Sequence, residues 1–167
     1  MAPRCVLVGL PGTGKSVVAR RVARRLGEPV CDTDRMLGGP AAIAAVWRAE
    51  GEAAFRAREL EVLALALDGP GVVATGGGAV TTPAGRTLLR EAPCVWLQAT
   101  PEFLVRRASA RHRPVLEGDQ LARLRALHAE RAAWYEEVAR STVDATRPLV
   151  EVVDEVVAIV TEWSRCA

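Results

Sequence analysis

Lysine is almost missing from this sequence: Lys15 is the only one, and arginine supplies nearly all the rest of the positive charge. Arginine abundance therefore says little by itself, whereas the place of the one lysine is informative. The formal net charge of +2 across 167 residues is too small to imply a nucleic acid or a membrane surface as partner. No span approaches the roughly 20 apolar residues that cross a bilayer. The first apolar run, CVLVGL, ends in a glycine loop rather than a cleavage site. Cys5, Cys31, Cys94 and Cys166 form no CxxC pair and no metal-ligand spacing, and Cys166, second from last, makes no prenylation box. Three of the four fall in apolar runs that read as buried strands, so they are expected to be small core hydrophobes in a reduced, cytoplasmic chain.

What is present is ordinary globular composition, half apolar and a quarter charged, of a length that suits one domain. Strands are expected at residues 4–8, 29–34, 72–75, 94–97 and 142–144. Helices are expected at 16–26, at 41–67 with an interruption near Gly51, from Thr82, and at 101–108, 120–141 and 148–163, with a loop over 111–119. Neither a repeat nor a linker divides the chain. Strands alternating with helices predict an α/β fold with a parallel sheet covered on both faces.

The lone lysine sits in GLPGTGKS, residues 9–16, a complete GxxxxGK[ST] pattern between a strand and a helix. Glycines there turn backbone amides onto phosphate oxygens, and the helix start adds its positive dipole end. Lys15 is expected at the β- and γ-phosphates and the Ser16 hydroxyl on magnesium, with Gly12, Thr13, Gly14 and Val17 completing the nucleotide contacts. Asp32 and Asp34 end the second strand, at the edge where open α/β sheets bind ligands. Two carboxylates one residue apart on a strand share a face. One could hold magnesium through water while the other takes a proton from an acceptor hydroxyl; a surface turn with a helix cap is the bland alternative. Gly76, Gly77 and Gly78 follow the third strand and allow close approach to bare amides, or form a flexible turn. Arg56 and Glu59, three apart on a helix, could be a surface pair. Arg113 could be a lid arginine or lie in a solvated turn, and Arg131 could belong to a solvated face. His112 and His128 are assigned to the lid and a helix surface.

In order and spacing, these pieces (the phosphate loop, Asp32–Thr33–Asp34, GE-x-x-FR-x-x-E, GGGAVTTP, RPVL and ERAAWY) resemble the shikimate kinase family over essentially the whole chain. The resemblance implies a three-layer fold similar to nucleoside monophosphate kinases, with a five-stranded parallel core, a substrate-binding region at about 33–61 and a mobile lid at about 108–119. It implies ATP- and magnesium-dependent phosphorylation of the shikimate 3-hydroxyl, a step of aromatic amino acid biosynthesis. Carried over by motif, Asp34 would orient the acceptor hydroxyl or act as base. Arg56 and Arg131 would clamp the carboxylate, and Gly76 to Gly78 would touch the ring substituents. Asp32 would position magnesium's waters, Arg113 would neutralise the transferring phosphoryl, and Arg107 and Arg147 would flank adenine. The sequence departs from the family at Arg35, where an acidic residue is usual, at a run after Asp34 about two residues short, and at Trp47, where phenylalanine is common. Alternatives of the same fold are kinases for a related cyclitol, a gluconate-like sugar acid or a natural-product alcohol; a non-catalytic nucleotide-binding regulatory module is the alternative from another class. A monomer is the default expectation.

Overall fold

Five short strands lie in one all-parallel sheet: β1 (Cys5–Val8), β2 (Val30–Asp32), β3 (Val72–Ala74), β4 (Cys94–Gln98) and β5 (Ser141–Asp144), in the order β2-β3-β1-β4-β5. The structure is a computed structural model and describes residues 2–109 and 117–165. Arg111, His112, Arg113 and Cys166, and with them the central part of the expected lid, lie outside the described residues. The helices are α1 (Lys15–Leu26), α2 (Thr33–Met36), α3 (Gly39–Leu67), α4 (Pro83–Glu91), α5 (Pro101–Ser109), α6 (Glu117–Val138) and α7 (Leu149–Arg165).

Central strands β1 and β3 are buried at every residue, as expected of parallel strands covered on both faces. Val18, Ala19, Val22 and Ala23 of α1 and Val152, Val153, Val156 and Val160 of α7 form buried stripes at helical spacing. Each fully buried valine contributes roughly 1.5–3 kcal/mol. Gly27, in the left-handed region at φ 69°, stops α1 and donates its N–H to the Ala23 carbonyl. The chain crosses to opposite sides of β1 when it forms β3 and β4, so a crevice opens at the carboxyl ends of these strands, where the loops after β1, β2 and β3 converge.

Four expectations shift. The DTD run is not one strand: β2 stops at Asp32 and α2 begins at Thr33. The long helix starts at Gly39 and is kinked at Gly51, whose φ of 84° and ψ of 177° are outside the helical region, as the interruption predicted. Residues 117–119, expected in a loop, open α6, which ends at Val138 because the Arg140 N–H leaves the helix for the Cys94 carbonyl and starts the pairing of β5 with β4. Cys5 and Cys94 are fully buried, but Cys31 is only half-buried because β2 is an edge strand.

Candidate active site

The loop after β1 turns sharply into α1. A Cβ at Gly9 would lie 2.6 Å from the Leu97 carbonyl oxygen, and Gly14 caps α1 at φ 95°, so both positions require glycine. Lys15 is buried, and its Nζ donates to the Gly9 and Leu10 carbonyls at 2.7 and 2.9 Å. Burial pushes its pKa down to about 8, against the pull of Asp34 and Asp32 and with help from Arg131. Gly12, Gly14, Lys15, Ser16 and Val17 line a 340 Å³ pocket that Asp34, Gly77 and Arg107 also reach. Thr13 turns inward, its hydroxyl donating to the Leu10 carbonyl.

On the far side of the loop, Thr13, Val18, Arg107, Arg147 and Val152 line a cavity of about 280 Å³. Arg107 donates to the Thr13 carbonyl at 3.2 Å and its guanidinium covers Gly14. Arg147 pairs with Glu155. The two arginines expected beside adenine therefore line one cavity that adjoins the phosphate loop.

The Asp32–Asp34 pair requires a correction. The carboxylates do not share a strand face, because the chain switches from strand to helix between them. Asp32 caps α2: its Oδ1 accepts the N–H groups of Asp34 and Arg35 at 3.1 and 3.3 Å. It lines a separate 340 Å³ pocket with Ser16, Arg20 and Arg35. Asp34 is turned into the crevice, where it lines both the phosphate pocket and a larger cleft. Burial raises its pKa, Lys15 opposes this, and Asp32 adds to it. The helix switch thus separates a carboxylate on the Ser16 side from one between the two pockets.

That larger cleft, about 850 Å³, brings together Asp34, Arg56, Glu59, Gly76, Gly77, Gly78 and Arg131. Arg56 is not a surface residue. Its Nη1 donates to Glu59 at 2.6 Å, its Nη2 meets Glu52 at 3.4 Å, and its guanidinium lies 5.3 Å from the rings of both Trp47 and Phe55. Arg131 is 8% exposed and donates to the Gly77 carbonyl at 3.1 Å, which rules out a solvated face. The Nε atoms of both arginines are buried without a hydrogen-bond partner among the described residues. Buried donors are rarely left unpaired. Two of them on guanidinium groups, in one cleft, suit a planar anion such as a carboxylate.

The glycine run is shaped by its neighbours. A Cβ on Gly76 would lie 2.7 Å from Asp34 Oδ1 and 3.0 Å from Glu59 Oε1, one on Gly77 would lie 2.7 Å from Pro11, and one on Gly78 would lie 2.0 Å from Arg56 Nη1. Two residues of the site, Thr33 and Tyr135, had no role in the sequence reading, and Glu59 was expected in a surface pair. Thr33, 1% exposed, accepts the Gly76 N–H at 2.9 Å and ties the end of β2 to the loop after β3. Glu59 is buried in the cleft, with burial raising its pKa against Arg56. Tyr135, 1% exposed, donates its hydroxyl to the Gly77 carbonyl at 2.6 Å. Their available signals were an uncharged residue between two aspartates, a glutamate one turn beyond an arginine, and a tyrosine four residues beyond one.

Comparison with known proteins supplies the family. The family model described as shikimate kinase matches residues 11–161. A shikimate kinase of Symbiobacterium thermophilum is 46% identical over 90% of this chain and 92% of its own length. One of Mycobacterium tuberculosis is 43% identical over 88% and 86%. Among solved structures, a shikimate kinase from Acinetobacter baumannii in complex with shikimate aligns with a TM-score of 0.83 and 29% identity, over 97% of this chain and 94% of that one.

Proposed function

Because the chain belongs to the shikimate kinase family, we propose that it transfers the γ-phosphoryl group of ATP to the 3-hydroxyl of shikimate, acting as a cytoplasmic monomer in aromatic amino acid biosynthesis. The observation that carries this reading is the pair of arginines, Arg131 buried and Arg56 half-buried, each with a buried Nε that makes no hydrogen bond among the described residues, in one cleft with the half-buried Asp34. A small acid bearing neutral hydroxyls needs cations for its carboxylate and a carboxylate for its hydroxyl. Arg56, Arg131 and Asp34 supply both.

Each pocket has its part. The loop amides and Lys15 hold the β- and γ-phosphates, with Lys15 exchanging its bonds to the Gly9 and Leu10 carbonyls for phosphate oxygens. Arg107 and Arg147 border the adenine cavity. Asp34, lining both the acceptor cleft and the phosphate pocket, accepts the hydrogen bond of the attacking hydroxyl and takes its proton as transfer proceeds. The gain comes chiefly from holding the two reactants in line and compensating charge. Arg113, assigned to the lid by the family resemblance, would neutralise charge on the transferring group.

Magnesium fits the residues present. No group of three or more histidine, cysteine, aspartate or glutamate side chains among the described residues could hold a metal ion alone. Ser16 and Asp32 line one pocket beside the phosphate loop, which suits an ion held by nucleotide phosphates, the Ser16 hydroxyl and waters ordered by Asp32. When bound, the ion would neutralise charge on the phosphate oxygens.

A kinase for a gluconate-like acid or another alcohol is expected to alter the arginine clamp, and a regulatory module to lose Asp34 or Arg113; all four residues are present in the sequence. The test is ADP release with a panel of shikimate, quinate, gluconate and other cyclic hydroxy acids, with and without magnesium. Magnesium-dependent turnover of shikimate far above the rest is expected. Fast turnover of another acid with none of shikimate would overturn the reading.

A further inference from the structure

Tyr135 lies outside every role assigned so far, yet its hydroxyl makes one of the shortest contacts of the site. It stands one helical turn beyond Arg131 on α6, and both side chains donate to the same acceptor, the Gly77 carbonyl, at 2.6 Å from the tyrosine and 3.1 Å from the arginine. The ring is buried and stacks on Trp96 of β4, with centroids 5.9 Å apart and planes 28° apart. The hydroxyl therefore projects from a rigid anchor in the core rather than from a mobile rim.

We propose that Tyr135 is a positioning residue for the acceptor, holding the Gly77–Gly78 peptide so that its amide faces the substrate and Arg131 is left for the carboxylate. The proposal deepens the shikimate kinase reading and rests on it. In a trans peptide the carbonyl and the following N–H point in opposite directions. Holding the Gly77 oxygen on α6 therefore turns the Gly78 N–H to the other side of the peptide plane. That N–H has no partner among the described residues, and Gly78 lines the acceptor cleft. It is a donor held ready for a ring substituent.

The same bond bears on Arg131. With Tyr135 as the shorter donor, the Gly77 oxygen does not depend on the guanidinium, whose buried Nε makes no hydrogen bond among the described residues and has only the Glu130 carboxylate 3.7 Å away. Burial holds the Tyr135 pKa up at about 12, partly offset by Arg131, so the phenol remains a donor throughout the neutral range. Without the hydroxyl, Arg131 becomes the only side-chain donor to Gly77 among the described residues, and the demands of carbonyl and substrate fall on one group.

Tyr135→Phe tests this, since it removes one oxygen and keeps the stack on Trp96. The expected result is a KM for shikimate about tenfold higher, equivalent to about 1.4 kcal/mol, with kcat and the KM for ATP within twofold of wild type and a melting temperature within a few degrees. Equal rises in both KM values, or lost stability with an unchanged KM for shikimate, would assign Tyr135 to the core alone and overturn the proposal. Wild type measured alongside separates the two claims. Failure of wild type to turn over shikimate defeats the functional reading, whereas normal wild-type turnover with unchanged Tyr135→Phe kinetics defeats only the positioning role.

Discussion

Gly78→Ala should damage acceptor binding while leaving the fold and the nucleotide site almost untouched. The added Cβ would lie 2.0 Å from Arg56 Nη1, 2.8 Å from its Cζ and 3.1 Å from Nη2. The backbone does not oppose alanine, because Gly78 is not among the residues with positive φ. The guanidinium must yield by more than 1 Å. It is the end of a flexible chain, so displacing it costs stability only about 0.5–1.5 kcal/mol, the range for an off-rotamer side chain. Function is less tolerant. Arg56 is aimed by Glu59, Glu52, Trp47 and Phe55, and a displaced guanidinium loses its charged hydrogen bond to the substrate. Such bonds contribute about 1.5–3 kcal/mol, so the KM for shikimate should rise roughly 10- to 150-fold.

The adjacent glycines provide internal controls, because each meets a different part of the machinery. Alanine at Gly77 presses on Pro11 of the phosphate loop and should raise the KM for ATP, whereas alanine at Gly76 presses on Asp34 and Glu59 and should lower kcat. Steady-state kinetics with each substrate varied in turn, beside thermal melts, separates the three signatures. One shared profile for all three variants, or an unchanged KM for shikimate in Gly78→Ala, would refute the reasoning.

Two predictions concern charge. Lys15, with its pKa lowered to about 8, loses its proton as pH rises through that value, so kcat/KM for ATP should fall there. Its effect on stability has the opposite sign: between about 8 and the unfolded value of 10.5 the unfolded chain binds the extra proton, so this contribution to stability rises with pH. The rise should be absent from the melting profile of Lys15→Met, and a wild-type difference profile flat across that window would contradict it. Asp34 has a raised pKa, so the fold penalises its ionised form, and its cost to stability appears as pH rises past the ordinary carboxylate value. Asp34→Asn should therefore lower kcat by about 10²–10⁴-fold while raising the melting temperature at pH 7; calorimetry showing a lowered one would contradict the account.

The parts legible in the sequence were those whose chemistry is contiguous. Gly9 to Ser16 carries its whole function in eight adjacent residues, and the buried strands around it are continuous apolar runs. The Asp32–Asp34 run was located correctly but its geometry was misjudged. A four-residue helix is too short to show a period, and the cap formed by Asp32 is the same Asp-x-x pattern that begins a turn. Arg131 and Glu59 read as surface charges because burial of a charge depends on partners distant in the chain. The Gly77 carbonyl, 54 residues before Arg131 and 58 before Tyr135, is such a partner.

Those distant partners also account for the charge the cleft prefers. Lys15, Arg56 and Arg131 face Asp34 and Glu59, and Arg48 and Arg123 also line the larger cleft, so cationic side chains outnumber carboxylates there. Each member is costly to bury alone, and the shifts of Lys15, Asp34 and Glu59 show it: burial is the largest cause in all three and works against the charged form. Opposite charges interleaved within the cleft offset much of that cost. An anionic acceptor suits that excess of cations. A neutral polyol would leave that excess of positive charge uncompensated. The phosphates of ATP are met elsewhere, by the loop amides, the Ser16 side and Arg107, with Lys15 common to both accounts. The preference for an acid over a neutral alcohol therefore follows from these charges, whereas discrimination among monocarboxylic hydroxy acids is left to the shape of the cleft, and the glycine run matters because it allows those charges to lie against bare backbone.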